Sequence, residues 1–334
     1  MEKILLIGGP GTLSSACMDM LLAQGHEVGM YTHHLFSEPA REGVQVFQGE
    51  RGDSRRLGQA IEAFKPAVVV DFICFRLEEA KALYPLLRAC QSFARLLFIS
   101  TCDVYGYPLY ALPFSEDSRF SPPISAYAAE KLAIEQFYLT KQRLEDFPVA
   151  IARPSYSFGS RFLLNFFSRE GGLDTFYRIQ HGKPVVVMDT GMTLMHAGSG
   201  ENTGRMIACI AGGNFSKGES FTCGHESPMT HRAYLRLFEE ALGISAWIHP
   251  VPKPFVRLYA EQFPQKAGLV SELTGFDVSF TMDKFKAAFP DFTWNPLQQA
   301  MNAYLEEHQA DLLQHKPSSI EDQLIEAFEQ TNHR

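Results

Sequence analysis

The sequence predicts an α/β protein: a doubly wound parallel sheet with a smaller part appended after it. Short apolar runs alternate with helical stretches through the first half of the chain, a glycine-rich turn closes the first of those runs, and the rhythm changes after Arg153-Pro154. Alternation of strand and helix is the pattern of repeated β-α-β units, whose strands are covered on both faces and so lack an apolar/polar alternation of their own.

In chain order, strands are expected at Lys3–Ile7, Glu27–Tyr31, Val44–Gln48, Ala67–Ile73, Leu96–Ser100 and Pro148–Ala152, each rich in Val, Ile, Leu or Phe. Between them Ser14–Gln24, with Gly25 as a stop, Ser54–Phe64, Leu77–Ser92 and Ala126–Gln142 carry helical character. Beyond Pro154 the loops lengthen and aromatics become more frequent. Asn214–Cys223 reads as a returning strand, Thr230–Leu242 as a helix stopped by Gly243, Trp247–Pro250 as a short strand and Leu297–Glu307 as a helix. Ser318 to Asn332 has the pattern of an amphipathic helix entered through Pro317-Ser318-Ser319. The expected organisation is 1–153 for the sheet domain, 154–310 for a substrate-binding part that also holds returning elements, and 311–334 for a helical tail.

Composition narrows the function. A chain of 334 residues, 46% hydrophobic and 20% charged, can bury a large core and is too frequently charged for a membrane protein; its longest apolar stretch, Ala67 to Phe75, is broken by Asp71. Thirty basic against 38 acidic residues, a net charge of −8, disfavours a surface for nucleic acid or anionic lipid. Met1-Glu2-Lys3 leads into only four apolar residues, so no secretory signal is expected and the protein is expected in the cytoplasm. The six cysteines are scattered without a C-x-x-C pair, and His225 and His231 have the wrong spacing for one helix face, so neither a disulfide nor a metal is expected.

The turn Gly8-Gly9-Pro10-Gly11-Thr12-Leu13-Ser14 follows the first strand and opens a helix. Glycines there let the backbone approach a pyrophosphate, whose charge the helix N-terminal amides stabilise. A plain tight turn would also use glycine, but the position after an N-terminal buried strand favours a Rossmann-type dinucleotide site. Ser14 stands where a third glycine serves close helix–strand packing, and it is small enough for that. Tyr31-Thr32-His33-His34, at the end of the second strand, offers neither an acid for a ribose 2′-hydroxyl nor an arginine for a 2′-phosphate. NAD and NADP both stay open, and His33 and His34 read equally well as solvated loop residues.

Tyr127 and Lys131 lie four apart at the start of a helix, hence on one face. An ammonium beside a phenol favours the phenolate and brings a tyrosine toward working pH as a general acid/base. Alone, Y-x-x-x-K arises often by chance. Here it follows a strand ending in Phe98-Ile99-Ser100-Thr101, the run Asp103-Val104-Tyr105-Gly106, and a proline-marked loop with Pro108, Pro113, Pro122 and Pro123. Strand carboxyl ends are where open α/β sheets bind ligands, and Thr101 sits at one.

On these residues the chain resembles the NAD-dependent epimerase/dehydratase family, the extended branch of the short-chain dehydrogenase/reductases. The similarity runs over roughly residues 3 to 305 and includes Gly182-Lys183-Pro184, the Gly218–Cys223 strand and the Met282-Asp283-Lys284 segment. The resemblance implies Tyr127 as acid/base, Lys131 as its partner and ribose ligand, and Thr101 as the hydroxyl that binds the substrate oxygen. It implies Gly8, Gly11, Thr12 and Leu13 at the pyrophosphate, and Pro154, Ser155 and Tyr156 beside the nicotinamide. Ser100 would join the cofactor site, Phe72, Ile73 and Cys74 would line its cleft, and His33 and Asp53 would lie toward the adenosine, with Glu50 and Arg51 competing for Asp53's role.

Relatives that move a proton on carbon, or decarboxylate, often carry an acid two positions after the threonine, which here is Asp103. A dehydratase Asp-Glu pair would fall on Cys102-Asp103. Asp103 could also merely cap the following turn. An arginine that meets a diphosphate in many sugar-nucleotide relatives is missing from Met188–Met195, and the acid that usually follows His196 is replaced by Ser199 or Asn202; Arg161, Arg169, Arg178 and Lys183 could supply positive charge instead. The expected function is NAD(P)-dependent chemistry at a secondary alcohol or carbonyl of a sugar-like small molecule, with epimerisation or dehydration where the hydride returns. The alternative is a silent dinucleotide-binding relative that regulates a partner or binds RNA, which the complete Thr–Tyr–Lys set and the acidic balance disfavour. The resemblance further implies a homodimer through the Leu77–Ser92 and Ala126–Gln142 helices.

Overall fold

The structure, a computed structural model, describes residues 1–33, 42–159, 162–169 and 171–332. Its first half runs β1 (Lys3–Ile7), α1 (Ser14–Ala23), β2 (Glu27–Thr32), β3 (Val44–Gln48), α2 (Ser54–Phe64), β4 (Val68–Asp71), α3 (Leu77–Ala89), β5 (Arg95–Ile99), α4 (Ala126–Glu145) and β6 (Val149–Pro154). After these come β7 (Tyr156–Phe158), α5 (Gly172–Gln180), β8 (Pro184–Met188), β9 (Leu194–Met195), β10 (Ala197–Ser199), α6 (Gly200–Gly212) and β11 (Lys217–Cys223). The chain continues through β12 (Met229–Thr230), α7 (His231–Leu242), β13 (Trp247–Val251), α8 (Lys253–Gln262), α9 (Pro264–Leu269), α10 (Asp283–Ala288), α11 (Leu297–Glu307), α12 (Gln309–Gln314) and α13 (Ile320–Asn332).

Seven strands form one parallel sheet in the order β11-β6-β5-β4-β1-β2-β3. Successive side chains of a strand point to opposite faces, so each strand serves two cores. Ile4, Leu6, Val68, Val70 and Leu97 pack with Cys17, Met18 and Leu21 of α1 and with Met206, Ile207 and Ile210 of α6. Leu5, Ile7, Val69, Leu96 and Phe98 pack the other way, against Leu57 and Ile61 of α2, Leu83 of α3, and Ile134 and Tyr138 of α4.

Strand order reverses at β1, whose neighbours β4 and β2 continue to opposite edges. This is the switch point outside which such sheets bind ligands. The strand expected over Ala67–Ile73 is shorter, because after Asp71 the chain leaves the sheet toward the carboxyl-end rim. The helix expected over Leu77–Ser92 ends at Ala89, and that over Ala126–Gln142 extends to Glu145. After Pro154 the chain departs and then returns through α6 and β11, so the sheet is completed by residues far beyond 153. A further core gathers Phe158, Phe176, Val186, Tyr234, Val256 and Met301, with Leu324 of the C-terminal helix. Arg178 fastens that last helix: its guanidinium, 1% exposed, pairs with Glu321 at 2.5 Å and Asp322 at 2.6 Å. Among the described residues no helix is long and apolar enough to cross a membrane.

Helices α1 and α6 approach closely at Gly204, where an added Cβ would lie 2.3 Å from the Leu13 carbonyl oxygen and 2.9 Å from Ala16 Cβ. Backbone cannot yield as a flexible side chain can. Gly204→Ala is therefore expected to destabilise the fold by about 1–3 kcal/mol in denaturant unfolding. An unchanged midpoint would count against this helix contact.

Candidate active site

A cavity of about 620 Å³ opens at the carboxyl ends of β5 and β6 and is walled by Leu13, Phe72, Ser100, Thr101, Asp103, Tyr127, Lys131, Pro154, Ser155 and Tyr156, together with residues from beyond position 160. Ser125 sets the start of α4 by accepting a hydrogen bond from the Ala128 amide at 3.1 Å. That cap places Tyr127 in the first turn, at the cavity mouth and 39% exposed, and Lys131 one turn deeper, 1% exposed. Lys131 Nζ donates to the Ile99 carbonyl at 2.8 Å, and its ammonium lies 4.8 Å from the Phe75 ring centroid and 5.0 Å from that of Phe98.

Burial pulls the Lys131 ammonium down to about 8, with Cys74 and Asp71 opposing it. The phenol of Tyr127 is pushed up to about 12, first by burial and then by the Asp103 carboxylate, while Arg169 and a hydrogen bond with Thr101 offset part of the rise. The expectation that Lys131 brings this tyrosine toward neutrality is therefore corrected for the protein by itself. The ammonium is 5.9 Å from the phenol's ring centroid, and its hydrogen bond goes to the strand end instead.

Thr101 caps the 3₁₀ turn Cys102–Tyr105 by accepting from the Asp103 amide at 3.2 Å. The capping oxygen thus comes from Thr101, and the Asp103 carboxylate faces the cavity. It accepts from the Tyr107 hydroxyl at 3.2 Å, and Arg169 Nη2 is 3.9 Å away. Burial raises the Asp103 carboxyl above its ordinary range, with Arg169, Tyr107 and Thr101 pulling the other way.

The glycine turn is braced internally. Ser14 Oγ, buried, accepts from the Gly11 amide at 2.9 Å, and Thr32 Oγ1 donates to the Gly9 carbonyl at 2.6 Å. At Gly8, φ is +95° and an added Cβ would lie 2.6 Å from Ile73 Cγ2, so the fold itself demands glycine. At Gly11 the nearest atom to an added Cβ is Ser14 Oγ at 3.5 Å, so packing makes no such demand. Two hydroxyls among the cavity walls, Ser100 Oγ and Ser155 Oγ, are buried and lack a hydrogen-bond partner among the described residues.

The remaining candidates lie outside the cavity walls. Gly8, Gly11 and Thr12 form the turn beside it, and Thr12 packs against Gly159 and Gly200. Ile73 covers Gly8. Cys74 is buried in the core with its thiol toward the Arg76 carbonyl at 3.8 Å. Asp53 caps α2 through the Arg56 amide at 3.0 Å. Arg51 turns inward to the fully buried Asp71, 2.7 Å away. His33 is exposed at the end of β2, whereas His34 and Arg161 lie outside the described residues. Arg178 and Lys183 are engaged with the C-terminal helix, Ser199 caps α6, and Asn202 bonds the Asn295 backbone.

Sequence reasoning missed the far wall, which consists of Phe162, Leu194, Met195, His196 and the segment from Glu272 to Phe280. No motif marks these residues. His196 is locked there, with the Phe280 amide donating to Nδ1 at 3.0 Å and Nε2 lying 2.8 Å from the His225 carbonyl.

A family model described as the NAD dependent epimerase/dehydratase family matches residues 4–224. No curated protein matches the chain. Among solved structures it is similar to dTDP-glucose 4,6-dehydratase from Bacillus anthracis in complex with NAD, at 17% identity and a TM-score of 0.70, over 93% of this chain and 97% of that one. It is similar also to UDP-glucuronic acid 4-epimerase from Bacillus cereus in complex with UDP-glucuronic acid and NAD, at 16% identity and a TM-score of 0.69, over 92% and 99%. A putative epimerase from Burkholderia cenocepacia aligns at 16% identity and a TM-score of 0.72, over 92% and 98%.

Burial of Lys131 has a signature in stability. Its folded pKa of about 8 lies below the ordinary 10.5, so between these values the unfolded chain binds the extra proton and stability must rise with pH. Relative to Lys131→Met, the wild type is expected to gain on the order of 3 kcal/mol from pH 8 to 10.5 in equilibrium unfolding. A flat difference across that window would mean that the ammonium is hydrated.

Proposed function

Because the chain belongs to the NAD dependent epimerase/dehydratase family, we propose that it transfers a hydride between a nicotinamide dinucleotide, NAD or NADP, and a carbon bearing a secondary hydroxyl or carbonyl of a sugar-like metabolite, with Tyr127 as general acid/base. One observation carries the reading: Thr101, Tyr127 and Lys131 converge on one cavity at the carboxyl end of a doubly wound sheet. The chain's own groups fit a dinucleotide. Gly11 keeps space that packing does not need, and Ser100 and Ser155 present unpartnered hydroxyls to a polar ligand. Gly8, Gly11, Thr12 and Leu13 would hold the pyrophosphate, Lys131 a ribose, and Pro154, Ser155 and Tyr156 the nicotinamide.

Bound there, the dinucleotide supplies the hydride acceptor or donor. Tyr127 supplies the proton partner. Its Oη accepts the hydroxyl proton when the substrate carbon is oxidised and returns it when the carbonyl is reduced, while Thr101 holds the substrate oxygen. A phenol held up at about 12 is protonated at neutral pH and is poised to donate. Acting as a base requires positive charge nearer its oxygen, which Lys131, one helical turn away, would provide by turning from the Ile99 carbonyl toward the phenol. Asp103, a partly buried carboxyl with raised proton affinity facing the same space, is placed to move a proton on a neighbouring carbon in an epimerisation or dehydration.

Tyr127→Phe is expected to lower turnover by about 10²–10⁴-fold with dinucleotide binding and thermal stability retained. Equal turnover in that variant would remove the assignment. Asp103→Asn is expected to suppress exchange of a substrate carbon-bound proton with solvent, followed by NMR in deuterium oxide, while leaving simple alcohol oxidation in place; unaltered exchange would show that this carboxyl takes no part.

A further inference from the structure

Resting on that hydride-transfer reading, we propose that the substrate is a neutral polyhydroxylated ring, a free sugar or cyclic polyol carrying neither phosphate nor nucleotide. The charge around the substrate end of the cavity points there. Beyond the deeply buried Lys131, the described wall residues include one guanidinium, Arg169, against two carboxylates, Asp103 and Glu272. Arg169 Nη2 lies 3.2 Å from Glu272 and 3.9 Å from Asp103, so its charge is already shared between them. A diphosphate entering here meets an excess of like charge.

Geometry adds a second constraint. Arg169 and Glu272 also border a separate recess of about 200 Å³, alongside Ser168, Pro264 and Lys266. Their ion pair borders both spaces, so a nucleotide spanning the two would lie against it. Lys266 in that recess is itself bonded to Gln323 at 2.8 Å.

The same groups suit vicinal hydroxyls. Two carboxylates and a planar guanidinium offer acceptors and donors to hydroxyl groups. Tyr107 and Phe276, with ring centroids 5.7 Å apart and planes 17° apart, stack on each other at the cavity wall and add apolar surface for the C–H face of a ring.

Calorimetry on the NAD-loaded protein tests this, with D-glucose, D-galactose, myo-inositol and UDP-glucose as titrants. At least one neutral ring is expected to bind, with UDP-glucose weaker than it. Glu272→Gln, which frees Arg169, is expected to weaken the ring by about tenfold, the loss of one charged hydrogen bond, and to strengthen UDP-glucose. Arg169→Gln should weaken the ring by a similar factor without admitting UDP-glucose. Tighter binding of UDP-glucose than of every neutral ring overturns the proposal, as does an NAD-loaded protein that binds none of the rings. Ring binding with turnover unaltered by Tyr127→Phe would sink the hydride-transfer reading while leaving the ligand class standing.

Discussion

The bond from Lys131 Nζ to the Ile99 carbonyl is the constraint on which the site depends. An ammonium 1% exposed has few ways to be satisfied, and here it uses the last residue of β5. One end of α4 is thereby fixed against the rim of the sheet. Because Tyr127 lies one turn earlier and Thr101 two residues after Ile99, the same bond sets the phenol and the threonine hydroxyl side by side. The energetic cost is visible in the lysine's lowered proton affinity.

A second buried polar cluster holds α4 one turn further along. Arg153 of β6 pairs with Glu135 through bonds of 3.0 and 2.7 Å and donates to the Tyr105 hydroxyl at 3.3 Å; that hydroxyl lies 2.8 Å from Thr222 Oγ1 on β11. The Thr222 amide in turn donates to Glu116 at 2.6 Å. Helix, two strands, the turn that carries Asp103 and the proline-marked loop are thus joined in a single network. Removing one member would leave others buried without partners, which makes such a cluster specify one arrangement.

The two halves of the site differ in kind. The side built on β5, β6 and α4 rests on regular elements and is polar, with its reactive groups at strand ends. The opposite side is assembled from Phe162, Arg169, Leu194 and the segment Glu272–Phe280, and it brings the Phe276 ring and the Arg169–Glu272 ion pair. The proposed chemistry draws on the first and the proposed discrimination on the second.

Sequence by itself determined the sheet and the residues that gather at its rim. Strands covered on both faces are continuous apolar runs, and β1, β3, α2 and α11 begin and end at the residues that pattern and capping specify. Tyr127 and Lys131 were legible because helical spacing is a local property, and Thr101 because a strand end is. Tertiary structure alone decided the rest. It set the direction of the Lys131 ammonium toward Ile99 and placed the Tyr127 phenol against Asp103, where burial first and that carboxylate second raise its proton affinity. It turned Asp103 into the cavity and Cys74 away into the core, and it brought Glu272 to within 3.2 Å of Arg169 across 103 residues of chain. Burial and charge act through space, and no local pattern records which distant segments will meet.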